Sequence, residues 1–261
     1  PTGLITNPIP NPFQIRKLEG ILRQLDDAYY GAIRQERERG AEGNSMLALL
    51  IRHEDDAGRF TDQELRDQLV TLYMAGFETT ASSIAWLFYR LHLDPAIKQR
   101  FYDQADSIAG AEDFASFNGL ELVRRCIQET LRMYPPAYNF SRVPLEDQTL
   151  GDYDIPAGHM VIVAPWATHR IPEYWPEPER FDPDRFLPEA VAARPRYTYL
   201  PFGAGHRTCI GMGLSAVQSQ VLVTRLAQRY DLELAPDIPV EYVPGTVMRP
   251  KYGMNMTIKE R

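Results

Sequence analysis

Cys209 stands in the stretch Phe202-Gly-Ala-Gly-His-Arg-Thr-Cys209-Ile-Gly211, among three glycines and two residues after Arg207. The thiolate, not the thiol, is the nucleophile and metal ligand of cysteine chemistry, and free backbone amides and a nearby cation both favour it. Arg207 supplies the cation, and a glycine-rich turn running into a helix-like segment supplies the amides. Gly203, Gly205 and Gly211 permit a tight backbone that can come close to a bound group, and Phe202 offers an apolar lid. The competing reading is a small buried hydrophobe at a turn, which free cysteines often are.

Two further constellations carry chemistry. In Ala75-Gly76-Phe77-Glu78-Thr79-Thr80, a glycine interrupts a long helical pattern. Gly inside a helix costs about 1 kcal/mol against Ala, so its presence needs a reason. Taken alone, the segment reads equally well as a site or as a small-residue helix crossing. Glu129-Thr-Leu-Arg132 places acid and base one turn apart, where they can pair. Most such pairs are solvated and contribute only tenths of a kcal/mol. This one precedes the helix stop Tyr134-Pro135-Pro136.

The pattern Phe-x-x-Gly-x-Arg-x-Cys-x-Gly, with the other two motifs ahead of it in order, strongly resembles the cytochrome P450 family. The resemblance extends from Phe13 to the C-terminus. It implies a mainly α fold with small antiparallel β-sheets, in which a long central helix and the cysteine-loop helix enclose haem b. Cys209 is then the iron ligand, Arg207 pairs with one propionate and Arg142 with a second. Phe202, Gly203, Gly211 and His206 lie around the haem. Ala75 and Gly76 make room for haem and oxygen, Thr79 bonds a preceding carbonyl, and Glu78 with Thr79 relays protons. Glu129, Arg132 and Arg185 form a structural triad, with Arg180 a decoy, although Asp184 stands where the family commonly has Glu.

The activity implied is that of a monooxygenase. Two electrons come from a ferredoxin or flavoprotein reductase, and one atom of O2 enters a small apolar organic substrate. The Glu78–Thr79 pair favours this O2-driven route over a peroxide-driven one. Ala137 to Phe140, Phe77 and Val247 are expected beside the substrate, and Arg207 and Arg225 beside the electron donor. Family members are markedly longer, so residues 1–261 correspond to the C-terminal part of the haem domain. The prolines Pro1, Pro8, Pro10 and Pro12 read as a loop inside a longer protein. A non-catalytic fragment, binding haem only with an N-terminal portion, is the alternative; a large exposed apolar patch would favour it.

Composition narrows the other classes. A chain of 261 residues, 44% hydrophobic and 24% charged, is globular. Its net charge of -7 argues against nucleic acid and a polybasic membrane-surface role. Cys126 and Cys209, far apart, do not form a disulfide framework, and a reducing, cytoplasmic setting suits them. No apolar run is long enough to span a membrane. His53, His92, His159, His169 and His206 show no paired metal spacing, which argues against zinc. None is marked as the partner a Cys-His hydrolase needs. The family often has His-Arg at this place in the meander, so the resemblance implies that His169-Arg170 is structural, and Cys126, on an apolar helix face, reads as core.

The elements that must position these groups follow from periodicity and stop signals. A helix is predicted from Phe13 to Arg39, stopped by Gly40, and a short one after Asn44-Ser45 through Ile51. Asp55 to Gly58 reads as a loop. Thr61-Asp-Gln-Glu64 is a capping box opening a helix to Leu93, about 50 Å long, ended by Asp94-Pro95. Helices follow from Pro95 to Ile108, Leu120 to Met133 and Leu214 to Tyr230. Short strands are expected across Val143 to Val163 and Leu232 to Ile258, with an ordered meander over 165–201.

Overall fold

The computed structural model describes residues 12–56, 58–111, 113, 115–236 and 239–261. Pro1, Pro8 and Pro10, read above as a loop, lie outside them. The chain divides into two compact units, Pro1–Ala75 and Gly76–Arg261. The division falls inside one continuous helix.

The first unit holds α1 (Pro12–Glu38), α2 (Met46–Arg52) and the short strands β1 (Glu54–Asp55) and β2 (Gly58–Arg59). These strands pair antiparallel, Asp55 opposite Gly58, where a plain loop was expected. Two exposed residues per strand carry no alternation that a sequence pattern could register. The long helix α3 (Asp62–Leu93) starts here with the predicted capping box. Thr61 N–H donates to Glu64 Oε2 at 2.8 Å, and Glu64 N–H to Thr61 Oγ1 at 3.2 Å. Arg37 with Asp62 (2.8 Å) and Arg66 with Asp26 tie α1 to its first turn.

The second unit continues α3 and adds α4 (Pro95–Asp106), α5 (Ala115–Asn118) and α6 (Glu121–Met133). The strands β3 (Phe140–Arg142), β4 (Gln148–Leu150), β5 (Tyr153–Ile155) and β6 (Val161–Val163) follow. They form two separate antiparallel pairs, β3 with β6 and β4 with β5. The meander is more helical than predicted. It contains α7 (Pro165–Thr168), a 3-10 turn at Pro183–Phe186 and α8 (Pro188–Ala193), each with proline in its first turn, where the missing N–H costs nothing. The helix α9 (Met212–Arg229) leads to β7 (Tyr230–Leu234), β8 (Tyr242–Val243), β9 (Arg249–Pro250) and β10 (Met256–Glu260). The β7 and β10 strands pair antiparallel from Tyr230↔Glu260 to Leu234↔Met256.

One apolar core joins these helices. Trp86, Leu87 and Leu91 of α3 meet Phe101 and Ala105 of α4, Val123 and Cys126 of α6, and Val223 and Ala227 of α9. Trp86 stacks on Tyr134 at 4.2 Å between ring centres. The starts of α4 and α6 are satisfied differently. Asp94 Oδ1 caps α4 by accepting Ile97 N–H at 3.0 Å. By contrast, α6 begins after Leu120, which offers no side-chain cap, and its Val123 N–H is taken by Gln104 Oε1 of α4 at 2.9 Å. Asp94→Ala is expected to lower stability by about 1 kcal/mol, the usual cost of a lost N-cap. The urea midpoint checks this, with an unchanged slope showing that only stability moved.

Candidate active site

A buried charge cluster on α6 underlies the site. Glu129 and Arg132 are wholly inaccessible to solvent. Arg132 Nε donates to Glu129 Oε2 at 2.7 Å and Nη2 to Oε1 at 2.9 Å, the paired-fork geometry that makes arginine–carboxylate bonds strong. The rest of the guanidinium is used as well: Nη1 donates to His169 O at 2.9 Å and Nη2 to Arg180 O at 3.3 Å. Glu129 Oε1 also accepts the Asp182 amide at 2.9 Å. Arg185 Nε stands 3.5 Å from that oxygen, an ion pair rather than a hydrogen bond, while its Nη2 donates to Glu177 O. The Arg180 side chain turns out to Glu177 at 3.3 Å, so only its carbonyl serves the cluster. Burial pushes the Glu129 carboxyl up, and Arg132, the Asp182 amide and Arg185 pull against it. Both oxygens face donors, so the ionised form is the one this site accommodates.

The cluster reaches the cysteine loop through a histidine. His169, buried completely, has Nδ1 3.1 Å from Arg132 O, and its Nε2 accepts the Leu200 amide at 2.8 Å. An amide can only donate, so Nε2 is bare and Nδ1 carries the proton toward Arg132 O. The neighbouring Tyr199 donates its hydroxyl to Gln128 O of α6 at 2.9 Å. Burial, with Arg132, Arg170 and Arg194 as the charged groups facing it, pushes His169 down from 6.5 to about 3. Below pH 6.5 the unfolded chain therefore takes up a proton that the folded chain refuses until about 3. Stability is expected to fall through that window by a few kcal/mol, at about 1.4 kcal/mol per unit. Urea midpoints measured against pH check this, and the drop should be shallower in His169→Gln.

Beyond Leu200 the loop is closed by its own backbone. Gly203 N–H donates to Leu200 O at 3.1 Å, and Cys209 N–H to Phe202 O at 2.9 Å. Gly203 and Gly205 sit at φ 72° and 71°, the left-handed region that favours glycine. They lead into a 3-10 turn at Gly205–Arg207. Thr208 binds Gly205 O through both its amide (3.0 Å) and its hydroxyl (2.8 Å). Cys209 is exposed, whereas Cys126 is buried and burial drives its thiol far up. Phe202 is half-buried, and His206, Arg207 and the neighbouring Ile210 are exposed. Among the described residues His206 and Arg207 make no ion pair.

On α3, which is helical without interruption here, Gly76 has open space where a Cβ would stand. Glu78 lies 3.7 Å from Arg249 Nε, both half-exposed. Ser82 Oγ donates to Met248 O at 2.6 Å, which holds the chain before β9 against the helix. Thr79 O accepts Ser83 Oγ at 3.0 Å. Arg142 is exposed at the end of β3 and donates to Ser141 O at 2.8 Å. Tyr138 is tied by its hydroxyl to Gly245 O at 3.1 Å, and Val247 is buried, whereas Phe77 is exposed. The Leu200 bond of His169, the Arg249 partner of Glu78 and the Tyr199 strut had no local signal, since each joins residues far apart in sequence.

The donors here are an exposed thiol and exposed cations, a set that suits an anionic group bound through a thiolate. The thiol is reachable from solvent, and a Cβ at Gly211 would only touch Cys209 Sγ at 3.8 Å, so no packing within the protein demands glycine there. Two exposed cations, Arg207 and Arg142, are available for carboxylates. No group of three or more His, Cys, Asp or Glu suited to a metal ion occurs among the described residues.

Comparison with known proteins shows the family. The family model "Cytochrome P450" matches residues 5–257, and the chain belongs to the cytochrome P450 family. It is 36% identical over 241 residues to cyclooctat-9-en-7-ol 5-monooxygenase of Streptomyces melanosporofaciens, covering 90% of this chain and 52% of that protein. With cyclooctatin synthase of the same organism it shares 33% over 246 residues (93% and 51%). With pentalenene oxygenase of Streptomyces avermitilis it shares 32% over 247 residues (93% and 55%). The crystal structure of the cytochrome P450DA haem domain superposes with a TM-score of 0.86 at 25% identity, over 92% of this chain and 54% of that one. The chain thus spans about half the length of these relatives. The mainly helical fold with small antiparallel sheets is the expected one. No helix among the described residues is long and apolar enough to cross a membrane.

Proposed function

We propose that the chain is the C-terminal part of a haem-thiolate monooxygenase that inserts one atom of O2 into an apolar organic substrate. The observation that carries this is the exposed Cys209, held in a closed glycine loop that hydrogen bonds tie back to the buried Glu129–Arg132 pair. Haem b, when bound, supplies the one-electron and O2 chemistry that protein side chains lack. The chain's own residues do the rest. Cys209 donates its thiolate to the iron, and amides of the loop and of the start of α9 set how much charge the sulfur keeps. Arg207 and Arg142 take the propionates through charge-assisted bonds, and Phe202 and His206 cover the haem edge. Ala75 and Gly76 leave room for oxygen beside the helix. Glu78, with Arg249 alongside, and Thr79 hand protons toward the reacting centre.

Two of the relatives are named as a monooxygenase of cyclooctat-9-en-7-ol and an oxygenase of pentalenene. This supports a terpenoid among the apolar substrates. Electrons come from a ferredoxin or flavoprotein reductase in the cytoplasm, docking near Arg207 and Arg225.

The visible spectrum of the haem-loaded chain, reduced and exposed to carbon monoxide, tests the reading. A strongly red-shifted Soret band is the expected result. An unshifted or absent band would transfer the activity to a longer protein.

That second outcome has its own support. Ile210, just before α9, is 94% exposed, and Leu214 and Val217, three residues apart on α9, are exposed as well. Exposed apolar side chains beside the ligand are what a fragment needing a complementary portion would present. On this reading the chain binds haem only with that portion added.

A further inference from the structure

We propose that His169 is the positioning residue of the thiolate: its imidazole spans the gap between α6 and the approach to the cysteine loop, and so sets where Cys209 stands. The path is short and made of backbone partners. Arg132 O lies 3.1 Å from His169 Nδ1, and Nε2 accepts Leu200 N–H at 2.8 Å. Leu200 O accepts Gly203 N–H at 3.1 Å, and the loop then closes by Cys209 N–H on Phe202 O at 2.9 Å. His169 is itself held from the other side, because its carbonyl accepts Arg132 Nη1 at 2.9 Å. Its ring packs against Tyr199, 5.3 Å away, and Trp175, 6.1 Å away, which also contact each other at 6.1 Å, so the three rings form one cluster that restricts its turning.

The consequence is geometric. Leu200 is half-buried and its amide faces the wholly buried imidazole, where an amide left without an acceptor is costly, so Leu200 stays where the imidazole is. Gly203 bonds Leu200 directly, and the left-handed turn that follows carries the displacement on to the sulfur. The same ring must also remain neutral, since a second proton would put a donor against the Leu200 amide. His169 touches no reacting atom and acts only through Leu200. The effect on thiolate ligation rests on the haem-thiolate reading, whereas the anchoring of the loop does not.

Two substitutions separate the arms. His169→Asn keeps a donor near the Nδ1 position but is too short to accept from Leu200. His169→Gln places an acceptor near the Nε2 position. Amide hydrogen exchange across residues 199–209 of the full chain is expected to accelerate about tenfold in the Asn variant and to return to within about threefold in the Gln variant. Amides of α4 and α9 should keep their protection in both. In the haem-loaded chain, part of the red-shifted carbon monoxide band should move to the unshifted position in the Asn variant and be recovered in the Gln variant. Nitrogen NMR of the unaltered chain should find the proton of His169 on Nδ1. The proposal is overturned if the proton sits on Nε2, if the Asn variant leaves 199–209 protected, if α4 and α9 loosen in proportion, or if Gln restores nothing. Should the unaltered chain itself lack the red-shifted band, the haem-thiolate reading fails, and the exchange and NMR results still decide the role of His169.

Discussion

Cys209→Ser is expected to abolish the red-shifted carbon monoxide band completely while leaving the fold intact. The substitution exchanges one atom at an exposed position, and surface changes of that kind cost within about 0.5 kcal/mol. The chemical change is much larger. Serine remains a neutral alcohol at pH 7 and offers iron no thiolate, and the thiolate is the form in which cysteine ligates a metal. Haem uptake with an unshifted band, at an unaltered urea midpoint, is the signature to look for. A red-shifted band persisting in the variant would mean that some other group binds the metal. Cys126 is a poor substitute, since it lies buried on α6 with its thiol held protonated.

The second large effect concerns the pair that supports the loop. Arg132→Met is expected to destabilise the second unit by about 3–5 kcal/mol, the cost of leaving one partner of a buried ion pair uncompensated. Glu129 would keep only the Asp182 amide and the more distant Arg185, and the carbonyls of His169 and Arg180 would lose their donor. Against a total stability of about 5–15 kcal/mol, that is a large share. The double variant Glu129→Leu, Arg132→Met should cost less than the sum of its two single variants, because removing both charges avoids the stranded carboxylate. Chemical denaturation of the four chains in the cycle measures the difference. Strict additivity would show that the two side chains are not coupled.

Much of this was legible in the sequence, for identifiable reasons. The helices announce themselves by apolar spacing and by punctuation: Thr61 with Glu64 opens α3, Asp94-Pro95 ends it, and Pro135-Pro136 stops α6. Cys209, Glu129 and Arg132 are legible because their chemistry needs particular side chains at short, fixed separations. Partners supplied by the backbone are not legible. Arg180 was weighed as a candidate side chain, yet what it contributes is its carbonyl, which any residue could provide. The bridging role of His169 left no trace in the sequence, because its partners are a carbonyl 37 residues away and an amide 31 residues away, and neither leaves a mark on residue type. Arg249 beside Glu78 escaped notice for a related reason, since a half-exposed pair brought together only by tertiary folding has no local spacing. The β1–β2 pair and the short helices of the meander are too brief for any period to emerge.

The borrowed acceptor at the head of α6 bears on the order in which the molecule assembles. A helix whose first turn is completed by its own cap can form that turn alone, whereas α6 must wait for Gln104 of α4 to arrive before Val123 N–H is satisfied. Nucleation is the expensive step in making a helix, so here that step is coupled to the docking of a neighbour. The helix carrying Glu129 and Arg132, and with it the anchorage of the Cys209 loop, should therefore mature only after α4 is in place. In kinetic terms, weakening Gln104 should slow the appearance of native α6 in refolding, while the independently capped α4 sets its own pace.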